Sequence, residues 1–296
     1  KSMAGNMISA YYSKGCDTRD IFSQMKLCQC PDYDKYLNKF NVIKLDLNGW
    51  YQRSIQRNRV DSLIIDIHEA LVDDFKEAFP FLSFKTNNIT LDQCILNVYA
   101  KTGEKFVIII DEYDVLVREQ VPQSLFDSYL SFLNGLFKDT AIRPAIALAY
   151  ITGIIPVVRD KVQSKLNEFT EYTMLRSGHL SGYFGFTKEE VTDLCTQYGM
   201  DREECARWYD GYRLTETIEV YNPLSVVSAM RNQEFGSYWS ATGSFEALKD
   251  YIMMDFNGIK QDVIEMISGK SVPVNVTKFQ NTLESITNKD NAFTYL

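Results

Sequence analysis

Five apolar residues, Phe106 to Ile110, run directly into two carboxylates, Asp111 and Glu112. If that run is a buried parallel strand, its carboxyl end is where ligands of open α/β sheets bind. A hard cation such as Mg2+ keeps several waters and needs only one or two carboxylates, which suits Asp111. Glu112, one residue further, could orient or deprotonate a water attacking a terminal phosphate. A second candidate pair, Lys1 and Ser2, directly precedes the amphipathic stretch "MAGNMISAYY". In a phosphate-binding loop the lysine reaches the outer phosphates, the hydroxyl ligates Mg2+, and the helix points its positive end at the anion. Thr152 ends the apolar run 144–152. A polar residue at the tip of a strand beside the acidic one can sense a γ-phosphate. Plainer roles exist for each: acids opening a solvated loop, a hydroxyl satisfying a turn.

The elements that must position these residues follow from periodicity. Met3, Ala4, Met7, Ile8 and Tyr11 share one helical face, with Gly15 as a stop. "NVIKLDL" (41–47) reads as a strand. The segment 60–79 reads as an amphipathic helix with Ile64, Ile67, Leu71 and Phe75 inward, ended by Pro80. The segment 90–103 is a helix between a Thr90 cap and Gly103. After the strand 106–110, residues 121–137 form a helix with Pro122 near its first turn. The run 144–152 is a third buried strand, and "FTEYTML" (169–175) a fourth. Continuously apolar strands separated by helices describe a parallel sheet covered on both faces.

Beyond about residue 180 the pattern becomes helical. Thr187 and Glu190 form a capping box. Residues 201–214 read as a short helix ending in an aromatic turn at Asp210 and Gly211. Asn222 and Pro223 open another helix, and 244–256 and 261–268 read as further helical segments. "SVPVNVT" is the one extended piece. The expected domains are therefore an α/β domain over 1–180 and a mostly helical one over 181–296.

At 296 residues the chain has room for about two domains. Its net charge of −8, without clustered Lys and Arg, argues against a nucleic-acid surface. Six scattered cysteines, only Cys28 and Cys30 close together, match free thiols in a reducing cytoplasm better than a zinc site. The longest apolar stretch, 145–158, is too short for a bilayer and is broken by Gly153 and Pro156. His68 and His179 lack ligand-spaced partners or a Ser-His-Asp arrangement. Arg159, Arg176 and Arg213 are conceivable charge stabilisers, with surface ion pairing the simpler role. Trp208, Tyr209 and Tyr212 suit packing between the helical module and the sheet.

"KSMAGNMISAYYSKG", "VIIIDEYDVL", "YITGIIPV", "YFGFTKEEV", "RWYDGYR" and "VYNPLSVVSAM" together resemble the bacterial AAA-ATPase-like family. The resemblance runs the length of the chain. It implies a P-loop NTPase sheet of the additional-strand type, helices on both faces, then a mostly helical lid or adaptor domain. It implies ATP and Mg2+ as ligands, with Lys1 and Ser2 matching the end of the phosphate loop and Asp111 and Glu112 the acidic pair. Members often carry a C-terminal PD-(D/E)XK nuclease-like domain. The glycines of the loop, its preceding strand and that domain are not in the sequence, so the expected identity is an internal fragment of a cytoplasmic switch protein. A scaffold that binds nucleotide or protein without hydrolysis is the alternative, and a nuclease metal site at "DEYD" a third.

Overall fold

The computed structural model describes residues 1–82, 89–154, 169–174, 176–214, 218–238, 258–275, 289–290 and 293. It divides into two compact units, Lys1–Glu168 with Gln280–Leu283, and Phe169–Phe279 with Glu284–Leu296.

In the first unit, α1 (Ser2–Tyr12) is followed by two single-turn helices, α2 (Arg19–Phe22) and α3 (Tyr33–Tyr36). Tyr11, Phe22, Tyr33 and Leu37 bury one another there. The Asn38 amide donates to the Ala10 and Ser13 carbonyls at the end of α1. Next come β1 (Asn41–Asp46), α4 (Leu47–Gln56), α5 (Leu63–Ala78), α6 (Leu91–Thr102), β2 (Phe106–Asp111), α7 (Val115–Arg118), α8 (Gln123–Phe137) and β3 (Ile146–Thr152). The strands form a parallel sheet in the order β1-β2-β3. β2 lies in the middle, which is why its five apolar residues are essentially inaccessible to water.

Each face of β2 has its own helix. Gly5 of α1 lies beside Ile109 and Tyr150. Phe75 of α5 stacks on Phe106 at 5.5 Å. Phe106 and Ile109 are an odd number of residues apart, so by strand alternation they face opposite sides. The sheet is thus mixed into an α/β unit with helices on both faces, as expected.

Local signals hold where caps are strong. Thr90 and Gln93 form a capping box and Gly103 ends the helix in the left-handed region. Pro122 is the residue just before α8. Three expectations shift. The buried face of α1 runs through Gly5 and Tyr11, while Met3 and Met7 are exposed. Glycine carries no hydrophobic signal, so the apolar stripe pointed one residue aside. In α5 the buried set is Leu63, Ile67, Leu71, Val72 and Phe75, with Ile64 only half-buried. β3 is half-exposed rather than buried, because among the described residues it pairs only with β2.

The second unit holds α9 (Lys188–Tyr198), α10 (Arg202–Tyr209), α11 (Pro223–Asn232) and a helix Ile259–Ile267. Thr187–Glu190 and Asn222 cap as expected. The anticipated aromatic turn at Asp210 is instead a strand, β5 (Asp210–Arg213). It joins β4 (Phe186–Thr187) and β6 (Glu219–Tyr221) in a small antiparallel sheet ordered β4-β6-β5. Strands this short leave too little alternation to detect. Tyr209 is buried with Val191, Cys195, Cys205, Tyr221 and Val226. Its hydroxyl donates to the Gly236 carbonyl at 3.0 Å. Trp208 and Tyr212 are exposed, contrary to the expected packing role. Residues 169–174 carry only an isolated bridge, Thr173 to Arg176, and no fourth strand. The expected helix 244–256 and part of "SVPVNVT" lie outside the described residues.

Two measurements check this packing. Ile67→Ala removes a fully buried side chain from α5 and should cost about 2–5 kcal/mol in urea unfolding. Exposed Ile65→Ala should cost under roughly 0.5 kcal/mol. Thiol titration of the native protein should label exposed Cys16 and Cys30 quickly. Burial raises the Cys94 thiol to about 11 and the Cys205 thiol to about 12, so both should stay unlabelled until unfolding.

Candidate functional site

The carboxyl ends of the three parallel strands carry Asp46, Asp111 and Thr152, mutually in register. In-register residues of a pleated sheet share a face. Here it is the α1 face, because Ile109 and Tyr150, two residues earlier, are the neighbours of Gly5. A cavity of about 500 Å³ opens on this rim, lined by Ser2, Asn6, Lys44, Asp46, Asn48, Asp111 and Glu112. Ser2 and Asn6 come from the first turns of α1. Lys44 reaches across from β1 and donates to the Asn6 side-chain oxygen.

The acidic turn after β2 is fixed by its own hydrogen bonds. Tyr113 N–H donates to the Thr152 carbonyl at 3.0 Å. Ile154 N–H donates to Asp114 Oδ2 at 2.9 Å. The Tyr129 hydroxyl donates to the Tyr113 carbonyl at 2.7 Å. Asp111 Oδ1 accepts from Glu112 N–H at 3.1 Å. Glu112 has a φ of 54°, left-handed for a residue with a Cβ. Its carboxylate pairs with the Arg118 guanidinium, which also lies 3.4 Å from Asp114. Asp114 is wholly buried.

Lys1 does not line the cavity. Its ammonium donates to the Gly153 carbonyl at the adjoining strand end. Desolvation there lowers its pKa against the opposing pull of Asp114 and Glu112. Burial raises the pKa of Glu112, partly offset by Arg118. Both groups hold charge with less water than they would have in solution.

The structure therefore brings Ser2, Asp111 and Glu112 to one cavity, with Lys1 and Thr152 at its β3 side. Sequence reasoning missed Asp46, Lys44 and Asn6, and the burial of Asp114. It also missed α4. The strand was extended through Leu47, which hid Asp46 as both strand tip and helix cap; the signal available was Asp46 followed three residues on by Gly49. His68 accepts from the Leu91 N–H at 3.1 Å, a packing role. Arg213 pairs with Glu219 at 2.8 Å, as a surface arginine would. Arg159 lies outside the described residues.

The donor set fits Mg2+. Ser2 and Asp111 offer a hydroxyl and a largely buried carboxylate, both hard oxygens. No group of three or more His, Cys, Asp or Glu side chains able to hold a metal ion occurs among the described residues. Mg2+ does not need one, since it keeps waters and shares a ligand's phosphates. Among the described residues no side chain caps the first turn of α1 and no acid lies in it; N–H groups of a helix's first turn suit an anion.

A family model described as "Predicted AAA-ATPase" matches residues 1–163, the stretch that carries every residue named above for the cavity. The chain belongs to this AAA-ATPase-like family, whose description suggests nucleotide binding. It is also 27% identical over 175 residues to "Uncharacterized protein in vnfD 5'region" of Azotobacter chroococcum mcd 1, covering 57% of this chain. The chain spans about a third of that relative, 33% of its length. No solved structure matches significantly. No helix among the described residues is long and apolar enough to cross a membrane.

Gly153 is the tightest point of the site. An added Cβ would lie 2.5 Å from Asp114 Oδ1 and 2.6 Å from the Tyr113 ring. Gly153→Ala should displace the acidic turn, lowering the thermal midpoint by several degrees and weakening nucleotide binding at least in proportion. Unchanged melting and binding would show the turn to be compliant.

Proposed function

We propose that the rim binds ATP with Mg2+ and hydrolyses it. The observation that carries this is the convergence of Ser2, Asp111 and Glu112 on one cavity at the carboxyl edge of the sheet. Lys1 neutralises the outer phosphates, and Ser2 and Asp111 hold the metal, Asp111 through water. Bound there, Mg2+ supplies charge neutralisation to the transferring phosphoryl group. Glu112 orients or activates the attacking water. Thr152, beside Asp111 in the register, reports on the terminal phosphate.

On this reading residues 1–180 are the NTPase domain and 181–296 an adaptor that passes the nucleotide state on, in a cytoplasmic switch coupled to a nuclease-like domain. A second reading, a nucleotide-binding scaffold without hydrolysis, is favoured by one observation: the Glu112 carboxylate is engaged by Arg118.

ATP turnover and nucleotide affinity, measured on the full-length protein and on Glu112→Gln, separate the two. Hydrolysis predicts a loss of about a hundredfold in turnover, with affinity changed less than about threefold. Binding with no turnover in either protein selects the scaffold, and no ATP binding at all ends both.

A further inference from the structure

Three carboxylates line the cavity, and they are not equivalent. Asp111 is largely buried. Glu112 has left the strand's alternation, adopts a left-handed φ and is engaged by Arg118. Asp46 is the last residue of β1, exposed and in register with Asp111. Adjacent strands lie about 4.8 Å apart, so its backbone is one strand from the central acid and its side chain emerges on the same face. Lys44, two residues earlier on that face, is turned to Asn6.

Asp46 also has an ordinary role. Its Oδ1 accepts from the Gly49 N–H at 3.0 Å, capping α4. A Cβ on residue 49 would come within 2.6 Å of Oδ2, so glycine leaves that second oxygen room. Capping needs one acceptor oxygen and no charge, and asparagine caps about as well as aspartate. The cap therefore explains one oxygen and leaves the other oxygen and the charge unaccounted for.

We propose that Asp46 is a further catalytic carboxylate of this site, receiving the proton of the water that Glu112 orients. The inference rests on the hydrolytic reading above. The water oxygen bonds to the terminal phosphorus as the bridging P–O bond breaks. The electron pair of that bond leaves on the diphosphate, and the water's proton passes to Asp46 Oδ2. The products are a nucleoside diphosphate and inorganic phosphate. Two carboxylates divide the labour: the one held by Arg118 gives direction, and Asp46, held at Oδ1 by Gly49, takes the proton on Oδ2.

The test exploits the capping equivalence. In the full-length protein, Asp46→Asn keeps the acceptor for Gly49 and removes the charge. The expected result is a fall of about a hundredfold in ATP turnover, with nucleotide affinity within about threefold and the thermal midpoint unchanged. Asp46→Ser, also a good cap, should behave alike, and it serves if the asparagine variant folds poorly. Turnover at the wild-type rate in either variant reduces Asp46 to a cap and overturns the proposal, leaving the ATPase reading intact. So does a loss confined to affinity. A wild-type protein that binds ATP without hydrolysing it overturns the proposal together with the hydrolytic reading, and is recognised before any variant is made.

Discussion

The site depends on the register of three parallel strands. Shifting β1 by one residue against β2 would turn Lys44 and Asp46 to the other face and expose Ile43 and Leu45 in place of burying them. Burial therefore fixes the chemistry. Ile43, Leu45, Ile108 and Ile110 form one apolar layer, and their packing leaves Asp46 and Asp111 side by side beneath α1. α1 lies against Ile109 and Tyr150 at Gly5, which brings Ser2 and Asn6 to the same rim.

The acidic turn is a second device that relies on the first. A left-handed non-glycine residue costs roughly 1–3 kcal/mol and persists only where its surroundings over-determine it. Around Glu112 they do: Tyr113 is tied to Thr152, Asp114 to Ile154, and Arg118 bridges two acids. Gly153 is part of the same unit, since only its lack of a side chain lets β3's exit loop approach Asp114. The strain sits at the carboxylate whose direction matters most to the proposed chemistry.

Much of this was legible in sequence, for identifiable reasons. β2 announces itself because it is buried on both faces and so is apolar without interruption. Thr90, Gly103, Thr187 and Asn222 were readable because a cap is a local contract between a side chain and nearby backbone. The place of Asp111 and Glu112 at the end of β2 was legible because the apolar run stops there. What failed was non-local or silent. The α1 face was misjudged at Gly5, a buried residue that carries no apolar signal. Asp46 was absorbed into a strand because Leu47 continues the apolar alternation, though it begins α4. The role of Asp114 needed a partner 40 residues away, Ile154, which no window of sequence contains.

The charge balance of the cavity bears on what it can accept. Its lining carries three carboxylates against one ammonium, Lys44, with Lys1 held at the neighbouring strand end. A bare polyphosphate entering such a space would meet net repulsion at short range. A bare divalent cation would find too few fixed ligands to be held alone. A phosphate chain already paired with a cation would satisfy both sides: Asp111 would hold the metal, and Lys1 and the first turn of α1 would hold the anion. The proposed ligand is thus the complex rather than either ion, and affinity for ATP should require the metal even where hydrolysis is blocked.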